Sequence, residues 1–101
     1  MYYSEAQVYL KVLEKEMALA GLPTQQKIFA ESGGWEVGPF RGGGVHVNAY
    51  EVKDSTLANR LIQRVRETHS RNPTVRVTIT IYSNSHIHQG NEVIVAHADV
   101  R

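Results

Sequence analysis

Three histidines near the C-terminus have the residue type and the spacing to carry chemistry. His86 and His88 stand two residues apart, and His97 lies in the next apolar-alternating segment. Side chains at positions i and i+2 of a β-strand point to the same face, so the two rings can approach one point. Imidazole nitrogen is a common ligand of zinc and other divalent metals. One hypothesis is therefore a divalent-metal site, with His46 as a further contributor.

The same cluster suggests an enzyme alternative, a metal-assisted or histidine-based hydrolase. In that case a histidine would act as general acid or base, with Tyr82 or Asp99 orienting its ring. The sequence contains no Ser-His-Asp spacing and no nucleophile elbow that would support this alternative. Exposed polar positions are the rule on a sheet with one solvated face. We therefore interpret the histidines as a solvated hairpin end, and expect no catalytic residue and no cofactor.

A glycine-rich segment from Gly38 to Gly44 carries Pro39, Phe40 and Arg41. Backbone amides and one guanidinium could close over an anion there. The glycines lead into a predicted strand, whereas a phosphate-binding loop leads into a helix. We expect a hairpin connection, flanked by Trp35 and Phe40 as aromatic anchors of the kind that dominate binding surfaces. Trp35, Phe40 and Arg41 are accordingly candidate binding residues.

The second predicted helix carries a basic stripe. Arg60 and Arg64 lie one turn apart, with Asn59 and Gln63 beside them, and such side chains contact phosphates. Glu67 is placed equally well to form an ion pair with Arg64. The whole chain has a formal charge of +1 and lacks the basic excess typical of nucleic-acid-binding domains. Nucleic-acid binding through Arg60 and Arg64 is therefore kept as a second alternative.

Two amphipathic helices are predicted. The first begins at Ser4, which stands in capping-box spacing with Gln7, and ends near Ala20, before Gly21 and Pro23. The second begins at Asp54 or Ser55 and ends near Arg71.

Four strands are predicted from apolar alternation. They cover 24–32, 45–52, 75–82 and 92–100, with Gly33-Gly34 as a turn after which 35–37 pairs back on the first strand. A two-residue turn at Gly90-Asn91 would close the last hairpin and pair Asn84 with His97. That register predicts a polar face and a core face. The polar face holds Tyr82, Asn84, His86, His88, His97 and Asp99, and the core face holds Ile79, Ile81, Ile87, Ile94, Ala96 and Val100.

The order helix, strand, strand, helix, strand, strand predicts a single α+β domain over residues 1–101. The economical packing is a four-stranded antiparallel sheet with both helices on one face, a permuted ferredoxin-like topology. The other face of the sheet is then uncovered. We expect Tyr50, Tyr82, Val93 and Val95 to lie on it.

Composition limits the classes of protein and of partner. The 101 residues include no cysteine, which excludes disulfides and thiolate metal sites. No apolar run reaches the length of a membrane span, and the N-terminus does not resemble a signal peptide. We therefore predict a cytoplasmic protein that does not bind membranes.

The leading functional hypothesis is a small non-enzymatic protein-binding module, an adaptor or inhibitor of a larger complex. The uncovered sheet face would mix apolar and polar side chains, as interfaces do. Its protein partner would include a second copy of the chain, giving a homodimer. The candidate binding residues are Trp35, Phe40, Arg41, Tyr50, Tyr82, Arg60 and Arg64.

Overall fold

The computed structural model describes residues 3–22, 28–37, 40–71, 73, 76–85 and 93–100, and for 3–5, 28–37 and 40–43 it describes the backbone alone. The element order is the predicted one, and the α+β class is confirmed. The helices are α1 (Tyr3–Leu19) and α2 (Ser55–Arg71), and the strands are β1 (Ile28–Val37), β2 (Phe40–Ala49), β3 (Arg76–Tyr82) and β4 (Ile94–Val100).

Helix α1 ends where the sequence predicts. Gly21 adopts a φ of 79°, a left-handed conformation that costs glycine little. Its amide donates to the carbonyl of Ala18, and the amide of Leu22 donates to that of Met17, both at 3.0 Å. These two bonds form a Schellman motif. The predicted start is wrong by a small margin, because the helix includes Tyr3 and so places Ser4 inside the first turn.

Helix α2 begins at the predicted cap. The carboxylate of Asp54 accepts a hydrogen bond from the Thr56 amide at 2.9 Å. The Asp54 carbonyl accepts the first helical bond, from the Ala58 amide at 3.0 Å. The Asp54 side chain therefore satisfies the Thr56 amide, which has no partner within the helix.

The sheet is mixed, so the predicted all-antiparallel sheet is wrong. Its strand order is β1-β2-β3-β4, and the central strands β2 and β3 pair in parallel. Helix α2 connects these two strands, and a helical crossover returns the chain to pair with the strand that it left, in the same direction. The permuted ferredoxin-like arrangement requires β4 between β2 and β3. Instead, β4 occupies an edge.

The first hairpin is longer than predicted. Gly33 and Gly34 lie inside β1, where they pair with Gly44 and Gly43 of β2, so the predicted turn at Gly33-Gly34 is wrong. The predicted loop from Gly38 to Gly44 is also wrong over most of its length, because β2 begins at Phe40. Glycine weakens a strand without preventing its backbone from pairing, and a continuous ladder satisfies those backbone groups.

The hydrophobic core lies between the helices and one face of the sheet. Helix α1 packs against β1 and β2, and α2 packs against β3 and β4. Alternate residues of β2, β3 and β4 complete this core, as the period of two requires. Its buried members are Ala6, Tyr9, Leu13, Met17, Val45, Val47, Ala49, Val52, Leu57, Ala58, Leu61, Val65, Val77, Ile79, Ile81, Ala98 and Val100.

The opposite side of β2, β3 and β4 carries the intervening residues, and we call it the uncovered face. Its residues are half-buried or exposed: His46, Asn48, Arg76, Thr78, Thr80, Tyr82, His97 and Asp99. Both described helices pack on the other side. Neither of them has the length and apolar content that crossing a bilayer would demand.

Candidate functional site

The register of β3 and β4 decides what the uncovered face carries. His97 lies opposite Thr80, and Asp99 lies opposite Thr78. The predicted pairing of Asn84 with His97 is therefore wrong. The shift from Asn84 to Thr80 is an even number of residues, so it preserves the face. His97, Asp99 and Tyr82 share a face, as predicted.

A β-bulge alters the first residues of β4. Ile81 pairs with Ala96 but Tyr82 pairs with Ile94, which leaves Val95 as the additional residue. Ile94 consequently shares a face with Tyr82 and is 59% exposed, so its predicted place in the core is wrong. A bulge inserts one residue into the alternation and reverses the faces beyond it.

Two histidines of the uncovered face are hydrogen-bonded to threonines of β3. His46 Nδ1 and Thr78 Oγ1 are 2.9 Å apart, and His97 Nδ1 and Thr80 Oγ1 are 2.8 Å apart. His86 and His88, on which the metal and hydrolase alternatives depend, lie outside the described residues, as does the Gly90-Asn91 turn. Within the described ranges no group of three His, Asp or Glu side chains is placed to hold a metal ion.

A bidentate ion pair also lies on the uncovered face. Arg76 Nη2 donates to Asp99 Oδ2 at 2.6 Å, and Arg76 Nε donates to Asp99 Oδ1 at 3.2 Å. The hydrogen bond to Asp99 raises the pKa of the Arg76 guanidinium above its usual value. Planar guanidinium and carboxylate groups fit each other in this geometry, which fixes both side chains.

One end of the uncovered face is apolar. The rings of Tyr50 and Tyr82 stack with centroids 4.9 Å apart and planes 9° from parallel. Ile94 lies opposite Tyr82 and is 59% exposed, and Val95, the additional residue of the bulge, is 36% exposed. We call Tyr50, Tyr82, Ile94 and Val95 the apolar patch. Val93 is 58% exposed, but it lies beyond the bulge, where the alternation does not place it with Ile94 on the uncovered face.

Asn84 holds the backbone beneath the apolar patch. Its side-chain Oδ1 accepts from the Val93 amide at 2.9 Å, and its carbonyl accepts from the Glu51 amide at 3.1 Å. Glu51 has a φ of 61°, in the left-handed region. One residue thus connects the end of β3, the start of β4 and the segment between β2 and α2.

Replacing Asn84 with alanine is expected to lower the free energy of unfolding by about 1 kcal/mol, since it removes the acceptor of one hydrogen bond. Equilibrium urea unfolding measures this effect. Asn59→Ala is the matched control, the same change at an exposed position of α2, and is expected to cost less. Equal losses in the two variants would show that Asn84 does not connect these segments.

The other candidate binding residues are dispersed. Trp35 belongs to β1, and Phe40 and Arg41 begin β2, with Val37 paired to Phe40. The structure describes only their backbone, so their roles as anchors stay predictions. Arg60 and Arg64 lie on α2, in the helical layer and away from the uncovered face.

Arg64 and Arg60 have different surroundings. The Nε atom of Arg64 is 3.2 Å from the Glu16 carboxylate of α1, and its Nη1 donates to Glu67 at 3.3 Å. The Glu67 ion pair considered as an alternative is therefore present. Arg60 is exposed and lines an open pocket of about 460 Å³, together with Lys53 and the acidic residues Glu51 and Asp54.

Sequence reasoning missed the ion pairs Arg76–Asp99 and Arg64–Glu16. Nothing local identifies either pair, because each joins residues from different elements. In comparisons with protein-family models, curated proteins and solved structures, no match to this chain was found.

Proposed function

We propose that this chain is a small non-enzymatic protein-binding module that self-associates through its uncovered face, and that it acts as an adaptor or inhibitor of a larger complex. The observation that carries the proposal is the apolar patch at one end of that face. The branched side chains of Ile94 and Val95 are exposed there, and Ile94 lies opposite Tyr82, which stacks on Tyr50. Removing exposed apolar groups of this kind from water lowers the free energy, and this favours forming an interface.

The polar part of the uncovered face is suited to docking because its charged groups and its two histidines already have partners. Arg76 is bonded to Asp99, and each of the two histidines is bonded to a threonine. A polar group that keeps a hydrogen bond within the protein has a smaller desolvation penalty when an interface excludes water from it. Covering this surface therefore costs less than covering free charges.

A second copy of the chain is the occupant that charge favours. The charges of Arg76 and Asp99 balance each other, so this ion pair gives two such surfaces no net charge repulsion when they meet. A two-fold axis would bring the uncovered faces of two copies together. The apolar patch of one copy would then contact either the apolar patch or the polar part of the uncovered face of the other copy. The helices then point away from the contact on both sides.

The edge position of β4 supports the same proposal. An edge strand presents backbone N–H and C=O groups that no neighbouring strand pairs, and exposed apolar residues beside them favour association. Ile94 and Val95 begin such an edge. We also propose that the module works in the cytoplasm, where burying this edge protects it from unspecific pairing.

The test compares two leucine-sized side chains on opposite layers of the molecule. Ile94→Lys alters the apolar patch, and Leu19→Lys alters an equally large side chain, 72% exposed, on α1. Sedimentation velocity over a concentration series measures the dimer dissociation constant. The wild type is expected to dimerise, Ile94→Lys to raise the constant at least about tenfold, and Leu19→Lys to leave it nearly unchanged.

Two outcomes would contradict the proposal. A wild type that sediments as a monomer at every concentration removes self-association altogether. A dimer that Leu19→Lys weakens and Ile94→Lys does not would place the contact on the helical layer instead. Circular dichroism of each variant confirms that the substitutions leave the fold intact.

A further inference from the structure

The solvent face of α2 is polar along its whole length and carries uncompensated positive charge. Its seven exposed members between Thr56 and Arg71 are arginines, amides and hydroxyls, with no carboxylate among them: Thr56, Asn59, Arg60, Gln63, Arg66, Ser70 and Arg71. We call this surface the α2 outer face. It lies on the side of the molecule opposite the uncovered face, because α2 packs between the two.

The ion pairs of α2 separate its arginines into two kinds. Arg64 forms ion pairs with Glu16 of α1 and with Glu67, the one acidic residue of α2. Glu67 is therefore already paired and does not neutralise the other arginines of the helix. Among the residues that the structure describes, Arg60, Arg66 and Arg71 have no acidic partner within ion-pair distance. Three positive charges therefore remain available to a ligand.

The spacing of these arginines fits an extended anionic ligand. Arg60 and Arg71 are three helical turns apart on the same line, about 16 Å at a rise of about 1.5 Å per residue. Arg66 lies on the other margin, with Asn59, Gln63 and Ser70 between the two margins. A small anion could touch only one of these guanidinium groups, whereas a chain of phosphates can reach all three.

From charge complementarity and from the polar side chains between the arginines, we infer that the α2 outer face binds the sugar-phosphate backbone of nucleic acid. Arginine, asparagine, glutamine and serine are the side chains that contact phosphate and sugar oxygens. Such contacts are independent of base sequence. The inference does not depend on self-association, and a dimer formed through the uncovered face would leave both copies of this surface accessible.

The experiment measures binding of a fluorescently labelled DNA duplex by anisotropy between about 50 and about 200 mM salt. Three phosphate contacts predict a slope near −2.7 for log K against log salt, so affinity should fall about 40-fold across this range. The variant Arg60→Gln/Arg66→Gln/Arg71→Gln is expected to bind at least about tenfold more weakly at low salt and to lose most of the slope. Each single substitution should reduce the slope by about one.

The control applies the same loss of three charges to the neighbouring helix. Lys11→Glu/Lys15→Gln changes exposed residues of α1 and is expected to leave affinity nearly unchanged. The inference is overturned if the wild type does not bind the duplex at low salt, or if the control loses as much affinity as the triple variant. It is also overturned if polyglutamate displaces the duplex equally well at equal charge, which would indicate an acidic polypeptide. Sedimentation velocity of the triple variant shows whether self-association is retained when duplex binding is lost.

Discussion

Replacing Ile79 with alanine is expected to lower the free energy of unfolding by about 3 to 4 kcal/mol, the largest single effect that we predict. Ile79 is fully buried at the centre of β3, between Val47 of β2 and Ala98 of β4. Truncation removes three carbon atoms from a packed core and leaves a cavity that surrounding side chains fill only in part. Because total stability is typically about 5 to 15 kcal/mol, this loss should be conspicuous in urea unfolding.

The matched control is the same substitution at Ile94. Apolar alternation alone predicts that both isoleucines lie in the core, whereas the bulge places Ile94 at the surface. Ile94→Ala is expected to lower the free energy of unfolding by less than about 1 kcal/mol. The measurement uses a protein concentration below the dimer dissociation constant, because association adds to the apparent stability. Similar losses in the two variants would mean that the bulge is absent and that Ile94 packs inside.

Replacing Arg64 with alanine is expected to cost about 2 kcal/mol, the second largest effect. The Arg64 side chain is 29% exposed and its partner Glu16 is 14% exposed, so water can replace only part of their interaction. Removing the guanidinium leaves the Glu16 carboxylate nearly buried without its cation, which costs more than an exposed ion pair is worth. The two helices should also lose an ion pair that joins them.

Arg66→Ala serves as the control for Arg64→Ala. It removes an equal charge two residues away on the same helix, from a position exposed to solvent. It is expected to change stability by less than about 0.5 kcal/mol. A double-mutant cycle with Glu16→Ala isolates the pairwise energy. A coupling energy near zero would show that the ion pair does not stabilise the packing of α1 on α2.

These expectations separate the stability of the fold from its two proposed surfaces. Ile79 and Arg64 act inside the domain, whereas Ile94 belongs to the apolar patch and Arg66 to the α2 outer face. A variant that loses binding while keeping its unfolding transition assigns function to a surface. One that loses both reports only on the fold.

The candidate surfaces could be predicted in part. Alternation in β3 and β4 placed His97, Asp99 and Tyr82 on one face because a strand has a strict period of two. The same reasoning failed at Ile94, since one inserted residue reverses the alternation. The sequence also predicted a loop around Phe40 and Arg41, where the structure has the start of β2. Glycine is compatible with a turn and with a strand, and pairing with the neighbouring strand decides which one forms.

The sequence alone determined the features that depend on a few neighbouring residues. Gly21 ends α1 and Asp54 begins α2, because each acts on backbone groups within one helical turn of itself. The alternating β-branched residues of β3 likewise determine that it forms a strand with one buried face.

Only the tertiary structure decided which segments meet. The parallel pairing of β2 with β3, the bulge in β4, and the contacts of Arg64 with Glu16 and Arg76 with Asp99 all join residues far apart in the chain. Alternative strand orders and registers satisfy the same local preferences about equally well. The choice among them is made by the packing of all the elements together, in which the helices and the whole sheet bury one common core.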